Sequence, residues 1–221
     1  MCRATPILRK RAKKGNAVRE KKPAGLPFVL DPLDKAFVPP KPQNSVDDER
    51  IIKLEKENSA IYTRKRDGHY VSAVVVGKHA KIYSRGEVKD LTPNFPHIKN
   101  ELLRLRLPRG GTLFSCEIIA ESNGSDNREF VSRLTKASPG EALRLQKQHG
   151  FARLMVFNSL VLGGKDISGF SNSKRIATGQ KLLSAKFAYI MPVEVLSGSF
   201  EGLQQLVRER KWEGMVIYDT N

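Results

Sequence analysis

The chain has 221 residues, with 39 Lys and Arg against 23 Asp and Glu, a formal net charge of +16. Hydrophobic residues make up 39%, enough to fill one sizeable core, and no run nears the roughly 18 apolar residues of a spanning helix. Only two cysteines are present, Cys2 and Cys116, so a disulfide framework and a cysteine zinc site are excluded. No apolar signal-type run opens the chain, and an intracellular location is expected, cytoplasmic in a bacterium or virus and nuclear in a eukaryote. The surplus of positive charge points to a polyanion, most often nucleic acid.

Residues 1–44 read as a basic, Pro-rich tail. Arg9 to Lys22 holds eight basic residues and one acid, Glu20, and like charges in a block repel and stay solvated. Pro23, Pro27, Pro32, Pro39, Pro40 and Pro42 follow and favour an extended linker. This block is expected to add non-specific phosphate affinity. From about residue 45 the texture is that of a folded domain. A helix is predicted over Val46 to Glu57, then strands over Ala60 to Arg66, Tyr70 to Val76 and Ala80 to Ser84. Asp67-Gly68 lies between the first two and suits a hairpin turn. A helix over Ile98 to Leu105 precedes a strong strand, Thr112 to Ala120, and Ser122 to Asn127 reads as loop. Helices are predicted over Glu129 to Leu134 and Gly140 to His149, with Gly150 as the stop. Ala152 to Leu162 is a buried-strand pattern ending at the turn Gly163-Gly164. Ser173 to Leu183 reads as helix, Phe187 to Val195 as strand, Phe200 to Lys211 as amphipathic helix, and Gly214 to Tyr218 as a last strand. The mixture predicts an α+β domain with antiparallel sheets and flanking helices.

Lys65-Arg66-Asp67-Gly68 taken alone is a basic hairpin. Its company changes the reading. Ser84-Arg85-Gly86 ends a strand after it. Glu117 sits inside the apolar strand Leu113 to Ile119. Leu154-Met155-Val156-Phe157-Asn158 leads to Leu162-Gly163-Gly164-Lys165, and Trp212-Glu213-Gly214-Met215-Val216-Ile217 puts another acid before a strand. In this order these segments resemble motifs I, Ia, III, IIIa and IV of covalent nucleotidyltransferases, above all the adenylation domain of ATP-dependent DNA ligases. The resemblance runs from about residue 45 to residue 221.

It implies an ATP-grasp-like nucleotidyltransferase fold and a ligase that seals nicks in DNA repair, replication or recombination through lysyl-AMP. Lys65 would be the nucleophile. Its amine must be neutral to attack phosphorus, and burial with neighbouring cations, Arg64 and Arg66 in sequence, would favour that form. Strand alternation, however, turns Arg64 and Arg66 to the other face. The resemblance implies that Arg64, Tyr70, Arg85, Glu117, Phe157 and Glu213 bind the nucleotide. Arg85 would face phosphate, Glu117 the ribose, Phe157 the adenine ring, and Glu213 would also hold Mg²⁺. ATP and Mg²⁺ are the implied cofactors, nicked double-stranded DNA the implied partner, and a monomer the implied state.

The sequence departs from the family in several places. Tyr70 stands where an arginine is usual, Thr63 where an acid is usual, and Asn158 where an aspartate is usual. A fifth motif with phosphate-gripping lysines, and the oligonucleotide-binding domain after it, would fall beyond Asn221, so the chain is expected to hold an incomplete adenylation domain. An RNA ligase, a capping guanylyltransferase and a nucleic-acid-binding protein without catalysis are the alternatives. Capping enzymes usually carry Asp-Gly where this chain has Glu213-Gly214, and nothing in the residues reports on a 2′-hydroxyl. His69, His79, His97 and His149 lack metal-ligand spacing. Gly163-Gly164-Lys165 lacks the spacing of a Walker-type phosphate loop.

Overall fold

The structure, a computed structural model, describes residues 48–84 and 89–220. The tail over residues 1–44 and Arg85 lie outside the described residues. Two sheets carry the architecture. The larger has six strands: β2 (His69–Val76), β3 (His79–Ser84), β4 (Thr112–Ile119), β7 (Arg153–Leu162), β8 (Lys165–Asp166) and β9 (Ile190–Pro192). Its order is β3-β2-β4-β7, with β8 and β9 both pairing β7. The smaller sheet places β1 (Ala60–Lys65) between β10 (Val195–Leu196) and β11 (Gly214–Asp219). A separate two-stranded ribbon joins β5 (Glu121–Ser122) to β6 (Ser125–Asp126).

Alternation sorts the large sheet's side chains. Val71, Ala73 and Val75 of β2, Phe114, Cys116 and Ile118 of β4, and Leu154 and Val156 of β7 point to one face. Helices α1 (Asp48–Lys56), α2 (Pro96–Leu102), α3 (Arg128–Lys136) and α4 (Pro139–His149) precede β7 in the chain, and the last three supply Ile98, Leu102, Val131, Leu134, Ala142 and Leu145 to that core. Burial of this apolar face is the main stabilising term. Asn127 and Ser138 cap α3 and α4 by accepting from the backbone N–H of Phe130 and Glu141. The other face of the sheet meets α5 (Asn172–Leu182) and the smaller sheet, where Ile119, Met155, Ile176 and Val193 pack with Ile61 and Tyr218. Helix α6 (Phe200–Glu209) lies before β11 and covers the back of β1 through a Tyr62–Phe200 ring stack.

The α+β class stands, and most elements fall within two residues of expectation. Two pairings differ. β1 and β2 form no hairpin: β1 pairs β10 and β11, whereas β2 pairs β3 and β4. Asp67-Gly68 is the crossing between the sheets. The strand expected over Phe187 to Val195 is two short pieces. β9 runs parallel to β7, an exception to the antiparallel pattern, and β10 crosses to β1. The three-residue ladder ends at Pro192, after which the chain changes sheets. No helix among the described residues is long and apolar enough to cross a membrane.

Candidate active site

The cleft lies between the two sheets. On β1 the residues Ile61, Thr63 and Lys65 share the face turned to the large sheet, because Ile61 packs there with Ile119 and Met155. Lys65 is the last residue of the strand. The β1–β11 register sets it opposite Gly214, which brings the preceding Glu213 to its side, and the two form an ion pair.

The facing wall comes from β2, β4 and β7. Tyr70 and Glu117 are directly opposed across β2 and β4. The Tyr70 and Phe157 rings lie 6.0 Å apart at 56°, and the Tyr70 hydroxyl donates to Ser115 Oγ at 3.2 Å. Glu117 accepts from the Gly68 N–H at 3.0 Å. Burial pushes the Glu117 carboxyl up to about 7, helped by Asp126 and Asp67 and opposed by the Gly68 N–H and Lys65. Among the described residues this carboxyl has no cation in hydrogen-bond contact, which leaves it capacity for hydroxyl groups. Gly68 explains the Asp-Gly pair. A Cβ there would sit 2.2 Å from the Ile118 carbonyl oxygen and 2.9 Å from Glu117 Cγ. Only glycine lets the chain cross so close to β4.

Behind the cleft the arginines flanking Lys65 enter a buried ionic cluster. Arg66 meets Glu121 at 2.5 Å and Asp126 at 2.6 Å. Arg64 lies 3.6 Å from Asp126 and 4.4 Å over the Trp212 ring. The Asp67 N–H donates to Asp126 Oδ2 at 3.0 Å. Arg153 holds the outer oxygen of Glu121 at 2.6 Å, and Arg128 reaches Asp67 at 3.3 Å. Burial tends to raise Glu121, but the hydrogen bond from Arg66 and the charges of Arg153, Arg66 and Arg64 outweigh it and hold the carboxyl below its ordinary value. Burial, with Arg66 beside it, lowers Arg64.

The structure therefore gathers Lys65, Tyr70, Glu117, Phe157 and Glu213 around one cleft. Arg64 is not with them: alternation places it on the reverse face of β1, against Trp212 and Asp126. Nor do Arg64 and Arg66 crowd the Lys65 amine, since both are occupied by acids. The amine is not enclosed either, as 41% of the Lys65 side chain is exposed. Among the described residues no three His, Cys, Asp or Glu side chains converge on a metal site. Glu213, 31% exposed beside Lys65, fits a magnesium ion held by one carboxylate and by phosphates, the manner in which that ion is usually bound.

Sequence reading missed Glu121 and Asp126: Asp126 lies in the stretch read as loop, Ser122 to Asn127, and Glu121 just before it. A signal was there. Asn123-Gly124 has positive φ at both residues, 52° and 79°, and such a dipeptide favours a two-residue hairpin. That hairpin is what carries the two acids under Arg66.

No protein-family description matches the chain, and no curated protein matches it. Solved structures do: 87 chains match. The mycobacterial DNA ligase D complexed with ATP and MES superposes with a TM-score of 0.57 at 15% identity, over 74% of this chain and 49% of that one. The ligase domain of M. tuberculosis LigD gives 0.57 at 14% identity, over 74% and 48%. The chain spans about half the length of these structures. At such identity the likeness shows the fold, which is that of the nucleotidyltransferase domain of DNA ligases.

Proposed function

We propose that the chain is a lysine-adenylating domain of an ATP-dependent DNA ligase. The observation that carries this reading is the placement of Lys65 at the end of β1, beside Glu213 and across a cleft from Glu117 and Phe157. A single amine opposite an aromatic face and a hydroxyl-binding carboxyl suits a nucleotide whose α-phosphorus lies at the amine.

The reaction runs in three transfers. The neutral Lys65 amine attacks the α-phosphorus of ATP. An N–P bond forms, the bond from α-phosphorus to the bridging oxygen breaks, pyrophosphate leaves, and the amine's proton passes to solvent through the open side of the cleft. The 5′-phosphate of a nick then takes AMP from Lys65. Finally the 3′-hydroxyl attacks that phosphate and expels AMP. Glu213 would hold Mg²⁺, whose charge offsets that building up on the phosphates. Ion pairing between Lys65 and Glu213 keeps both groups at the phosphate position before substrate arrives. Glu117 would accept from ribose hydroxyls, and Phe157 would stack on the base, a contact open to any purine. DNA would be held chiefly through its phosphates, with affinity falling steeply as salt rises.

Intact-mass measurement after incubation with Mg²⁺ and ATP or GTP tests this. The expected result is an adenylate-sized gain with ATP alone, absent in Lys65→Ala. A guanylate gain would move the chain to the capping enzymes. An unchanged mass with both nucleotides would overturn the adenylating reading.

A further inference from the structure

Among the described residues the Lys65 side chain pairs with Glu213, and it is partly exposed. What fixes its position is the backbone on either side of it. Three of its neighbours in sequence converge on one carboxylate. Arg64 and Arg66 direct their guanidiniums to Asp126, at 3.6 and 2.6 Å, and the Asp67 N–H donates to the same side chain at 3.0 Å. Asp126 is only 8% exposed, as is Arg66. Arg64 extends the chain of contacts, since it lies between Asp126 and the Trp212 ring, next to Glu213. Asp126 therefore touches residues on both sides of the nucleophile and, through one arginine, the strand start that bears Glu213.

We infer that Asp126 is a positioning residue for the reacting lysine, acting through Arg64, Arg66 and the Asp67 backbone, with Glu121 in support. It touches no substrate. The inference rests on the adenylating reading above. Its physical basis is the sensitivity of in-line attack to placement: reacting atoms must be held near 3 Å apart, and an error of about 1 Å can cost about a hundredfold in rate. A strand end is a poor place for such precision, because it lacks the ladder on its far side. The carboxylate of the β5–β6 ribbon supplies the missing restraint. Buried in place, Asp126 has little freedom to follow if the strand end moves, and the tight β5–β6 turn ties it to β4.

Asp126→Asn keeps an oxygen for the Asp67 N–H and removes the charge that gathers the two guanidiniums. In the full chain, lysyl-AMP formation is expected to slow by about ten- to a hundredfold, with the ATP concentration for half-maximal rate little changed. Acylation of Lys65 by a small amine-reactive active ester, which loses its alcohol as the amide forms, followed by peptide mass mapping, is expected to be unaffected, because that reaction needs no fixed geometry. Asp126→Glu is expected to recover part of the rate. Should Asp126→Asn fail to fold, Glu121→Gln takes its place: that acid is 34% exposed, and its loss frees one side of Arg66. A rate loss of about threefold is then expected, again without change in half-saturation. Wild-type rate in a folded Asp126→Asn protein, or a loss confined to half-saturation, would overturn the inference. Absence of lysyl-AMP in the wild type would instead overturn the adenylating reading beneath it.

Discussion

The two ends of the six-stranded sheet are built on different physics. At the end nearest Lys65, polar contacts hold the chain, and Arg64, Arg66, Arg128 and Arg153 are each paired with an acid. At the opposite end two glycine turns meet, at Gly110-Gly111 and at Gly163-Gly164. There the backbones touch directly. Gly164 N–H donates to the Gly111 carbonyl at 2.8 Å, and a Cβ on Gly110 would lie 2.6 Å from the Gly163 carbonyl oxygen. The lesson is one of division. Close packing without side chains closes one end of the sheet, and charged side chains, which can be aimed, hold the end at which Lys65 stands.

Gly110→Ala breaks the comparison most severely. Its φ is +99°, and the new methyl would meet backbone rather than a flexible side chain. A destabilisation of about 3 kcal/mol is expected from the strain and clash together. Urea unfolding measures it. The yield of lysyl-AMP per folded molecule should stay at the wild-type level, since Gly110 lies at the other end of β4 from Glu117. A lower yield from folded protein would show that the two ends are coupled.

Glu117 gives the next largest effect, and it belongs to the near end. Its folded value of about 7 lies above the ordinary 4.5. Between those values the folded state binds the extra proton, so stability falls as pH rises. The contribution is fully present below about 4.5 and is lost as pH passes about 7, a change of about 3 kcal/mol at most. Glu117→Gln cannot ionise. It should flatten the profile of stability against pH across this window and leave the variant more stable than wild type at pH 8. It should also weaken ATP use, because an amide accepts from hydroxyls less strongly than a carboxylate. Parallel urea titrations of the two proteins at several pH values check the first expectation.

The division between the ends also explains what the sequence disclosed. Elements were legible wherever side-chain alternation or helical spacing is local, as in β2, β4 and α4. The grouping of Lys65, Glu117, Phe157 and Glu213 was legible through the order of motifs, because the first three sit on strands whose pattern is strong and Glu213 directly precedes one. Two things were not. Asp67-Gly68 has the composition of a hairpin turn, and only the closeness of Ile118, a contact about fifty residues away in sequence, makes it a crossing instead. The acids of the β5–β6 ribbon were passed over because their partners, Arg64 and Arg66, are just as distant along the chain. A charge on a short polar stretch looks solvated until the fold buries it. Arg64 shows the converse: the family resemblance made it a ligand candidate, while strand alternation, legible in the sequence, already set it on the other side, where the structure has it.

The smallest expected effect is the sharpest test of whether burial, rather than charge alone, organises the near end. Asp67 has two contacts of different kinds. Its N–H meets Asp126 inside the cluster, and its carboxylate meets Arg128 at 3.3 Å on the surface, where the partners are 69% and 36% exposed. Water screens the second pair, and exposed ion pairs contribute about 0–1 kcal/mol. Removing one partner from a buried cluster such as Arg66–Asp126, where both side chains are 8% exposed, costs about 3–5 kcal/mol because a charge is left without compensation. Arg128→Gln should therefore lower the unfolding free energy in urea titration by less than about 1 kcal/mol and leave lysyl-AMP formation close to wild type. A loss equal to that of Asp126→Asn would mean that the Asp67 side chain itself, and not the buried carboxylate behind it, places the nucleophile. A small effect from Arg128 beside a large one from Asp126 would assign the placement of Lys65 to the ribbon beneath β1.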